Sequence, residues 1–151
     1  MIISFFGHAR FDGKEDYEKR ILSYLNEWIG EQAAELYFGG YGDFDHLAYR
    51  CGKKYQATHP MVSLIFITPY MTISYQANHL KGIQKQYDDI VYPPIEDKPP
   101  KLAILYRNQW MVDQSDLIVF GIEHEWGGAY QTYHYAKGRK KRILNIAEKE
   151  L

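Results

Sequence analysis

The segment 36–45 places three glycines and two aspartates directly after a short apolar run, and a pattern with helical spacing follows it. This order predicts a strand, a glycine turn and a helix. Glycine lets the backbone approach a ligand closely, and the first turn of a helix presents unpaired N–H groups that attract anions. Phosphate binding is therefore the chemistry that Gly39, Gly40 and Gly42 could perform. The alternative is a tight turn in which Asp43 caps the helix, and this segment alone favours that alternative.

A second glycine pair, Gly127–Gly128, also follows an apolar run and precedes a helical pattern. Neither pair fits the G-x-G-x-x-G pattern of dinucleotide-binding proteins or the G-x-x-x-x-G-K-[ST] phosphate loop. Two such turns in one chain nevertheless favour a phosphate-bearing ligand, whose base could stack on Tyr41 or Trp126. Asp43 and Asp45 could accept a hydrogen bond from a ribose hydroxyl or cap the helix, and capping is the simpler explanation.

Carboxylates and histidines are the other side chains that could do chemistry. Glu123 and Glu125 precede the second glycine pair and are the candidates for a catalytic acid, although carboxylates of a solvated loop would give the same pattern. Four of the histidines are scattered along the chain: His8, His46, His124 and His134. This is not the spacing of metal ligands, and Cys51 has no cysteine or histidine partner. We therefore expect no metal and no cofactor, and we expect Cys51 to pack in the core.

The apolar pattern predicts the elements that position these residues. The expected strands are 1–6, 33–38, 62–67, 87–92, 116–121 and 142–146, and the expected helices are 16–29, 43–55, 101–114 and 128–137. Residues 71–85 fit a short helix or an irregular excursion, and the prolines of 93–100 predict a loop. This alternation predicts an α/β fold with a mostly parallel sheet and helices on both faces. In such sheets ligands bind beyond the carboxyl ends of the strands, where the glycine turns lie.

Length, charge and cysteine content limit the classes of protein to which this chain can belong. A length of 151 residues fits a single domain that spans residues 1–151. The 18 basic and 19 acidic residues give a net charge of −1, so we expect a small-molecule ligand and do not expect nucleic acid as a partner. The single cysteine, the lack of a signal-peptide pattern and the lack of a long apolar run favour a cytoplasmic protein without a membrane partner.

The segment 107–120 resembles a family pattern. It reads R-N-Q-W-M-V-D-Q-S-D-L-I-V-F, and Gly127–Gly128 follows it. This is similar to the R-x-x-x-M-x-x-x-[SA]-D-x-x-[IV] and Gly-Gly core of the SLOG superfamily. That group of Rossmann-like nucleotide-binding proteins includes the LOG cytokinin-activating phosphoribohydrolases and the DNA-processing protein DprA. With the segment 39–43 and Gly7-His8 added, the chain most resembles the uncharacterised YpsA-like branch.

The resemblance implies a Rossmann-like fold and roles for particular residues. Arg107 would contact the nucleotide near the scissile bond, although a surface arginine on a helix fits the sequence equally well. The residues that the resemblance places beside the ligand are Gly7, His8, Gly127, Gly128 and Ala129. The hydrolases continue G-G-x-G-T-x-x-E-E, whereas residues 129–134 read A-Y-Q-T-Y-H and contain no carboxylate. Whether the chain is an enzyme therefore stays open.

Three functions are compatible with these patterns. The one we expect is binding of a nucleotide or nucleotide-derived ligand, such as ADP-ribose or a nucleoside monophosphate, by a sensor or ligand-binding protein. The second is hydrolysis or transfer at the N-glycosidic bond of nucleoside 5′-monophosphates, since residues 125–129 resemble the E-x-G-x-A pattern of nucleoside deoxyribosyltransferases. The third, by analogy with DprA, is a scaffold or nucleic-acid-associated module that uses Lys140 and Lys141. The hydrolase branch also implies a homodimer.

Overall fold

Six strands form one sheet in the computed structural model, which describes residues 1–148 without the side chain of Glu15. The end of the predicted domain at 149–151 lies outside the described residues. The strand bounds are Ile2–Gly7 (β1), Ala34–Phe38 (β2), Val62–Ile67 (β3), Asp89–Val91 (β4), Leu117–Gly121 (β5) and Ile143–Asn145 (β6). Every pairing between them is parallel. The predicted α/β fold is confirmed, and the sheet is parallel throughout the described chain.

Helices connect the strands. Their bounds are Glu15–Ile29 (α1), Asp43–Thr58 (α2), Ile73–Tyr75 (α3), Lys81–Ile83 (α4), Ala103–Gln114 (α5) and Gly128–Gly138 (α6). A π-helical turn, Gln76–Leu80, joins α3 to α4, so the segment 71–85 is largely helical. A 3-10 turn that begins at Pro100 leads into α5, consistent with the preference of proline for a first helical turn. Within residues 1–148, none of the helices has the length and apolarity needed to cross a membrane.

The order of the strands creates a switch point at β1. Across the sheet the order is β4-β3-β2-β1-β5-β6. Ile3 of β1 lies beside Leu36 of β2 on one side and beside Leu117 of β5 on the other. The chain therefore builds outward from β1 to β4 and then returns across β1 to add β5 and β6. Loops leave β1 and β5 in opposite directions, and the crevice between such loops is where parallel sheets bind ligands.

The core has two layers, one on each face of the sheet. Because side chains alternate along a strand, Phe5 and Phe6 of β1 point to opposite faces. Phe5 belongs to the cluster that includes Leu25 of α1 and Cys51 of α2. Phe6 belongs to the cluster that includes Met111 of α5. Cys51 is fully buried, as its expected packing role requires.

Candidate functional site

A cavity of about 450 Å³ opens at the carboxyl edge of the sheet. It lies at the ends of β1 and β5, and the first turns of α2 and α6 and one side of α5 also contribute to its lining. This is the crevice of the switch point. The volume lies within the range of about 300–1,000 Å³ that is common for small-molecule sites.

Nine of the predicted site residues line this cavity: Gly7, His8, Gly39, Tyr41, Arg107, Trp126, Gly127, Gly128 and Ala129. Five others do not line it: Gly40, Gly42, Asp43, Glu123 and Glu125. Gly40 is turned away because its φ of 77° places it against the ring of Phe66, where a Cβ would lie 2.5 Å from a ring carbon. The two glycine turns therefore converge, but they do so through Gly39 and Gly127–Gly128. Ligand contact by these residues stays a prediction.

The N-terminus of α6 is the part of the cavity best suited to an anion. Gly127 has φ 93° and ψ 175°, a conformation that residues with a Cβ rarely adopt. A Cβ at Gly127 or Gly128 would meet no atom within 4 Å, so both positions face open space. No side chain caps α6, and its first turn has no acidic residue. The N–H groups of this turn are therefore available to a bound anion.

The N-terminus of α2 is closed by the loop that follows β1. A Cβ at Gly42, whose φ is 96°, would lie 2.7 Å from the Cα of Ala9. The N–H of Asp43 donates to the carbonyl oxygen of Ala9 at 2.8 Å, and the carboxylate of Asp43 accepts from the N–H of Phe11 at 3.2 Å. The N-cap is Gly42 and makes no side-chain cap. The prediction that Asp43 caps α2 is therefore wrong, and its carboxylate instead fastens the loop.

Asp45 is a buried carboxylate that lines the cavity. Only 6% of the residue is exposed, although it lies in the first turn of α2. Burial raises the pKa of the Asp45 carboxyl to about 6, against the opposing effects of the Gly40 amide, the Arg107 charge and the Gly39 amide. Its Oδ2 has no hydrogen-bond partner among residues 1–148. Helix capping does not explain why this carboxylate is buried, because no side chain caps α2.

Arg107 is not a surface arginine, since only 6% of it is exposed. Its Nη1 donates to the carbonyl oxygen of Ile67 at 2.7 Å, and its Nε donates to Oδ1 of Asn108 at 2.8 Å. Burial lowers the pKa of the guanidinium to about 10, and the nearby carboxylate of Asp45 opposes this shift, so the group is charged at neutral pH. The described bonds use Nε and Nη1. No hydrogen bond from Nη2 is described within residues 1–148.

Three rings stack where β1 and β5 end. The ring centroids of His8 and His124 are 3.5 Å apart, and those of His124 and Trp126 are 3.8 Å apart. The N–H of His124 donates to Nε2 of His8 at 3.4 Å. His8 is buried, whereas Trp126 is 70% exposed at the outer end of the stack and Tyr41 is 79% exposed elsewhere on the cavity lining. The sequence alone does not indicate that His124 belongs to the site, because nothing in its spacing points to a ring partner 116 residues away.

Glu123 and Glu125, the candidate catalytic acids, are exposed and lie outside the lining of the cavity. A catalytic role for either stays a prediction without geometric support, because the carboxylate that does line the cavity is Asp45. Within residues 1–148, no group of three or more His, Cys, Asp or Glu side chains is arranged to hold a metal ion.

The basic run near the end of the chain has structural contacts. The Nζ of Lys141 donates to the carbonyl oxygens of Asp113 and Ser115 at 3.0 and 3.1 Å. The side chain of Arg139 pairs with that of Asp113 at 3.0 Å. These contacts satisfy carbonyl groups at the end of α5 and join it to the segment after α6. Neutralising Lys141 would therefore disturb packing as well as surface charge.

Sequence patterns did not predict several residues that line the cavity. Arg10, Ile104 and Asn108 line the cavity beside the predicted residues. Phe44 lies where a side chain at Gly7 or Gly121 would have to be, so the glycines that end β1 and β5 make room for this ring. A glycine at the end of each of two central strands is a signal that could have predicted such close packing.

A second depression, of about 650 Å³, lies between the helical segment after β3 and the edge strand β4. Its charged side chains, Lys81, Asp88 and Asp89, are exposed, and none of the predicted site residues lines it. The smaller cavity is the better candidate site because it combines buried charges with an open helix N-terminus.

No family model matches the chain, and no curated protein matches it in sequence. Solved structures do match. DNA processing protein A from Helicobacter pylori is 15% identical with a TM-score of 0.58, over 95% of this chain and 63% of that chain. DNA processing protein A from Streptococcus pneumoniae is 12% identical with a TM-score of 0.63, over 93% of this chain and 48% of that chain. The Moco carrier protein of Chlamydomonas rheinhardtii is 14% identical with a TM-score of 0.51, over 98% of this chain and 76% of that chain.

These comparisons correct one expectation. The Helicobacter pylori structure is described as showing a single-stranded DNA binding mode, so nucleic acid cannot be set aside for this fold on the ground of a near-zero net charge. The prediction was wrong because net charge sums over the whole surface, whereas nucleic-acid binding depends on local charge and on rings that stack. The chain spans 63% and 48% of the two DNA processing protein A chains. At this level of identity the likeness shows the fold, which is α/β and Rossmann-like.

Proposed function

We propose that this chain is a SLOG-type protein that binds a nucleotide or nucleotide-derived ligand, such as a nucleoside monophosphate or ADP-ribose, in the cavity of about 450 Å³. The observation that carries the proposal is the uncapped N-terminus of α6, which opens with Gly127 and Gly128 into a cavity that also contains the buried charge of Arg107. The SLOG-like motif of residues 107–128 supports it, as does the likeness in fold to DNA processing protein A.

The phosphate belongs at α6. Its first turn has free N–H groups, no acidic side chain and open space at both glycines. The N-terminus of α2 is unsuitable because the carboxylate of Asp45 lies there and would repel an anion. A guanidinium N–H of Arg107 would add a charge-assisted hydrogen bond to a phosphate or hydroxyl oxygen.

The base belongs at the mouth of the cavity. Trp126 and Tyr41 line it and are its most exposed aromatic rings. Stacking of a base on such a ring is tolerant of base identity and is worth about 1–3 kcal/mol. The proposed site therefore binds through phosphate and stacking, with specificity left to the polar groups deeper in the cavity.

Calorimetric titration of the purified chain with the four nucleoside 5′-monophosphates, ADP-ribose and inorganic phosphate tests the proposal. We expect binding of one or more of the nucleotides and a roughly 5- to 100-fold loss of affinity in Trp126→Ala. The matched control is Met61→Ala, which removes another exposed apolar side chain from outside the cavity lining. Absence of heat and of any thermal shift with every compound at millimolar concentration would discard the proposal.

A second candidate function is binding of single-stranded nucleic acid. Arg10 lines the cavity together with the exposed rings of Trp126 and Tyr41, and a basic group beside aromatic rings is the arrangement that single strands recognise. This candidate predicts that a labelled oligonucleotide binds with strong salt dependence and that Arg10→Gln reduces the salt slope. Competition by a nucleoside monophosphate would indicate that both ligands use the same cavity.

The enzymatic alternative depends on Asp45, since it supplies a carboxylate in the cavity that the motif after Gly128 lacks. Incubation with nucleoside 5′-monophosphates and chromatography for free base tests it, and Asp45→Asn should abolish any release that Glu123→Gln and Glu125→Gln retain. Membership of the YpsA-like branch and a homodimer stay predictions. Light scattering of the purified chain would measure the oligomeric state.

A further inference from the structure

Asp45 is a buried carboxylate in the proposed binding cavity, and one of its two oxygens, Oδ2, has no hydrogen-bond partner among residues 1–148. It is buried to more than nine-tenths, it lines the cavity, and its Oδ2 accepts no hydrogen bond from residues 1–148. Leaving a buried polar atom unpaired is destabilising, and such atoms are rare in native proteins. A hydrogen-bond donor that arrives with the ligand would add a partner to this carboxylate where the residue lines the cavity.

The protein's own groups bond this carboxylate only in part, through the backbone amides of Gly40 and Gly39. The neighbouring carboxylate of Asp43 holds the loop after β1 at Phe11, so Asp45 is not required for that contact. Arg107 is close enough to influence Asp45 but donates its described hydrogen bonds to Ile67, Gly39 and Asn108. No ion pair within 4.0 Å joins Arg107 to Asp45 among the described residues. Asp45 lines the cavity although only 6% of it is exposed and its Oδ2 is enclosed, so a ligand would meet the carboxyl through the part of the residue that faces the cavity.

Among the parts of a nucleotide, the group that meets Asp45 must be a hydrogen-bond donor. A phosphate has no N–H or O–H to give when ionised, and a carboxylate repels it. In the proposed binding mode the base stacks on Trp126 or Tyr41 at the mouth, and the phosphate lies at Gly127–Gly128. The sugar is then the part of the ligand left for the floor of the cavity, and its hydroxyls are donors.

We propose that Asp45 accepts a hydrogen bond from a hydroxyl of the ribose, so that the site selects ribonucleotides over deoxyribonucleotides. The inference rests on the proposed nucleotide site and adds a specificity that the site would otherwise lack. A sugar hydroxyl is also the feature by which a protein distinguishes RNA from DNA at a given position.

The selectivity should depend on pH. Burial raises the pKa of Asp45 to about 6, and the ionised form is the better acceptor. The groups that face this carboxyl are the amides of Gly39 and Gly40 and the side chains of Arg107, His46 and Tyr87. The preference for the ribo form should therefore be larger at pH 7.5 than at pH 5.

The test compares each nucleoside 5′-monophosphate with its 2′-deoxy and 3′-deoxy forms by calorimetry. We expect wild type to bind the ribo form roughly 10- to 100-fold more tightly than one of the deoxy forms. In Asp45→Ala, which removes the acceptor, the two forms should bind within about twofold of each other, and in Asp45→Asn, which keeps an uncharged acceptor oxygen, the preference should be reduced. Asp43→Asn is the matched control, because it makes the same change two residues away and outside the cavity lining, and it should retain the preference.

The outcomes separate the two proposals. Equal binding of ribo and deoxy forms by wild type, or an unchanged preference in Asp45→Ala, would overturn the role of Asp45 and leave the nucleotide site standing. No binding of any nucleotide would overturn both. If the Asp45 variants do not fold, the wild-type ratio at pH 7.5 and pH 5 decides, since a ratio that does not fall at pH 5 contradicts the inference.

Discussion

The imidazole rings of His8 and His124 stack with their centroids 3.5 Å apart, which joins the ends of β1 and β5 across the switch point of the sheet. The N–H of His124 donates to Nε2 of His8, so that nitrogen is an acceptor and the ring of His8 is neutral with its proton on Nδ1. A proton added at Nε2 would remove this hydrogen bond. The stack therefore ties the geometry of the cavity to pH.

We expect the contribution of His8 to the free energy of unfolding to fall as the pH is lowered through about 6.5. Burial, followed by the charge of His124, lowers the pKa of His8, while Glu123 has a smaller opposing effect. The unfolded chain then takes up a proton at His8 that the folded chain excludes, so stability is lost as the pH falls below the unfolded value. In urea unfolding at pH 7.5 and pH 5.5, His8→Gln should lose less stability than wild type on acidification. An equal or larger loss in His8→Gln would contradict this.

The contribution of Asp45 to stability should have the opposite pH dependence from that of His8, and Asp45→Asn should remove it. The pKa of Asp45 is raised to about 6 from 3.8, so the folded chain holds this proton more tightly and stability is lost as the pH rises through that window. At pH 7 the buried charge costs about 3 kcal/mol, a cost that the amide avoids. We expect Asp45→Asn to be more stable than wild type at pH 7, by up to this amount, and equal to it near pH 4.

Urea unfolding at the two pH values measures this difference. Asp43→Asn is the control, since its amide oxygen can still accept from the N–H of Phe11, so its stability should change little at either pH. A destabilised Asp45→Asn at pH 7 would mean that the ionised carboxylate has a structural partner.

Gly7→Ala should destabilise the fold because its methyl group would overlap the ring of Phe44. Overpacking of this kind typically costs about 1–3 kcal/mol. Gly13→Ala is the matched control, since a Cβ there meets no atom within 4 Å, and its free energy of unfolding should change by less than about 0.5 kcal/mol. Chemical denaturation of both variants measures the difference, and Phe44→Leu combined with Gly7→Ala should recover part of the loss. Equal stabilities would show that the ring of Phe44 moves freely.

Gly128→Ala should weaken nucleotide binding without weakening the fold. The methyl group would meet no protein atom within 4 Å and would enter the space proposed for the phosphate. We expect roughly tenfold lower affinity for a nucleoside monophosphate, with stability unchanged or raised by up to about 1 kcal/mol. Gly138→Ala, at the other end of α6, also adds a methyl group in open space and should bind like wild type. Unchanged binding by Gly128→Ala would place the phosphate elsewhere.

The elements and their order could be predicted from the sequence because periodicity is a local property. The predicted strand 62–67 has the same bounds as β3, and the predicted helix 16–29 differs from α1 by one residue at its start. Alternation of strands and helices forces parallel pairing, and parallel pairing brings the ends of strands to one edge. For that reason the glycines at 39 and 127–128 could be expected in one crevice.

Only the tertiary structure decided which groups in that crevice are open and which are closed. Both glycine turns have the same local pattern, yet Ala9 and Phe11 close the one at α2 while α6 stays open. Burial of Asp45 and Arg107 likewise depends on neighbours far along the chain, because a charged residue on an amphipathic helix carries no local sign of what will cover it. Sequence fixes where a strand or a helix forms, whereas the charge and exposure of a side chain are set by atoms that only the fold brings near.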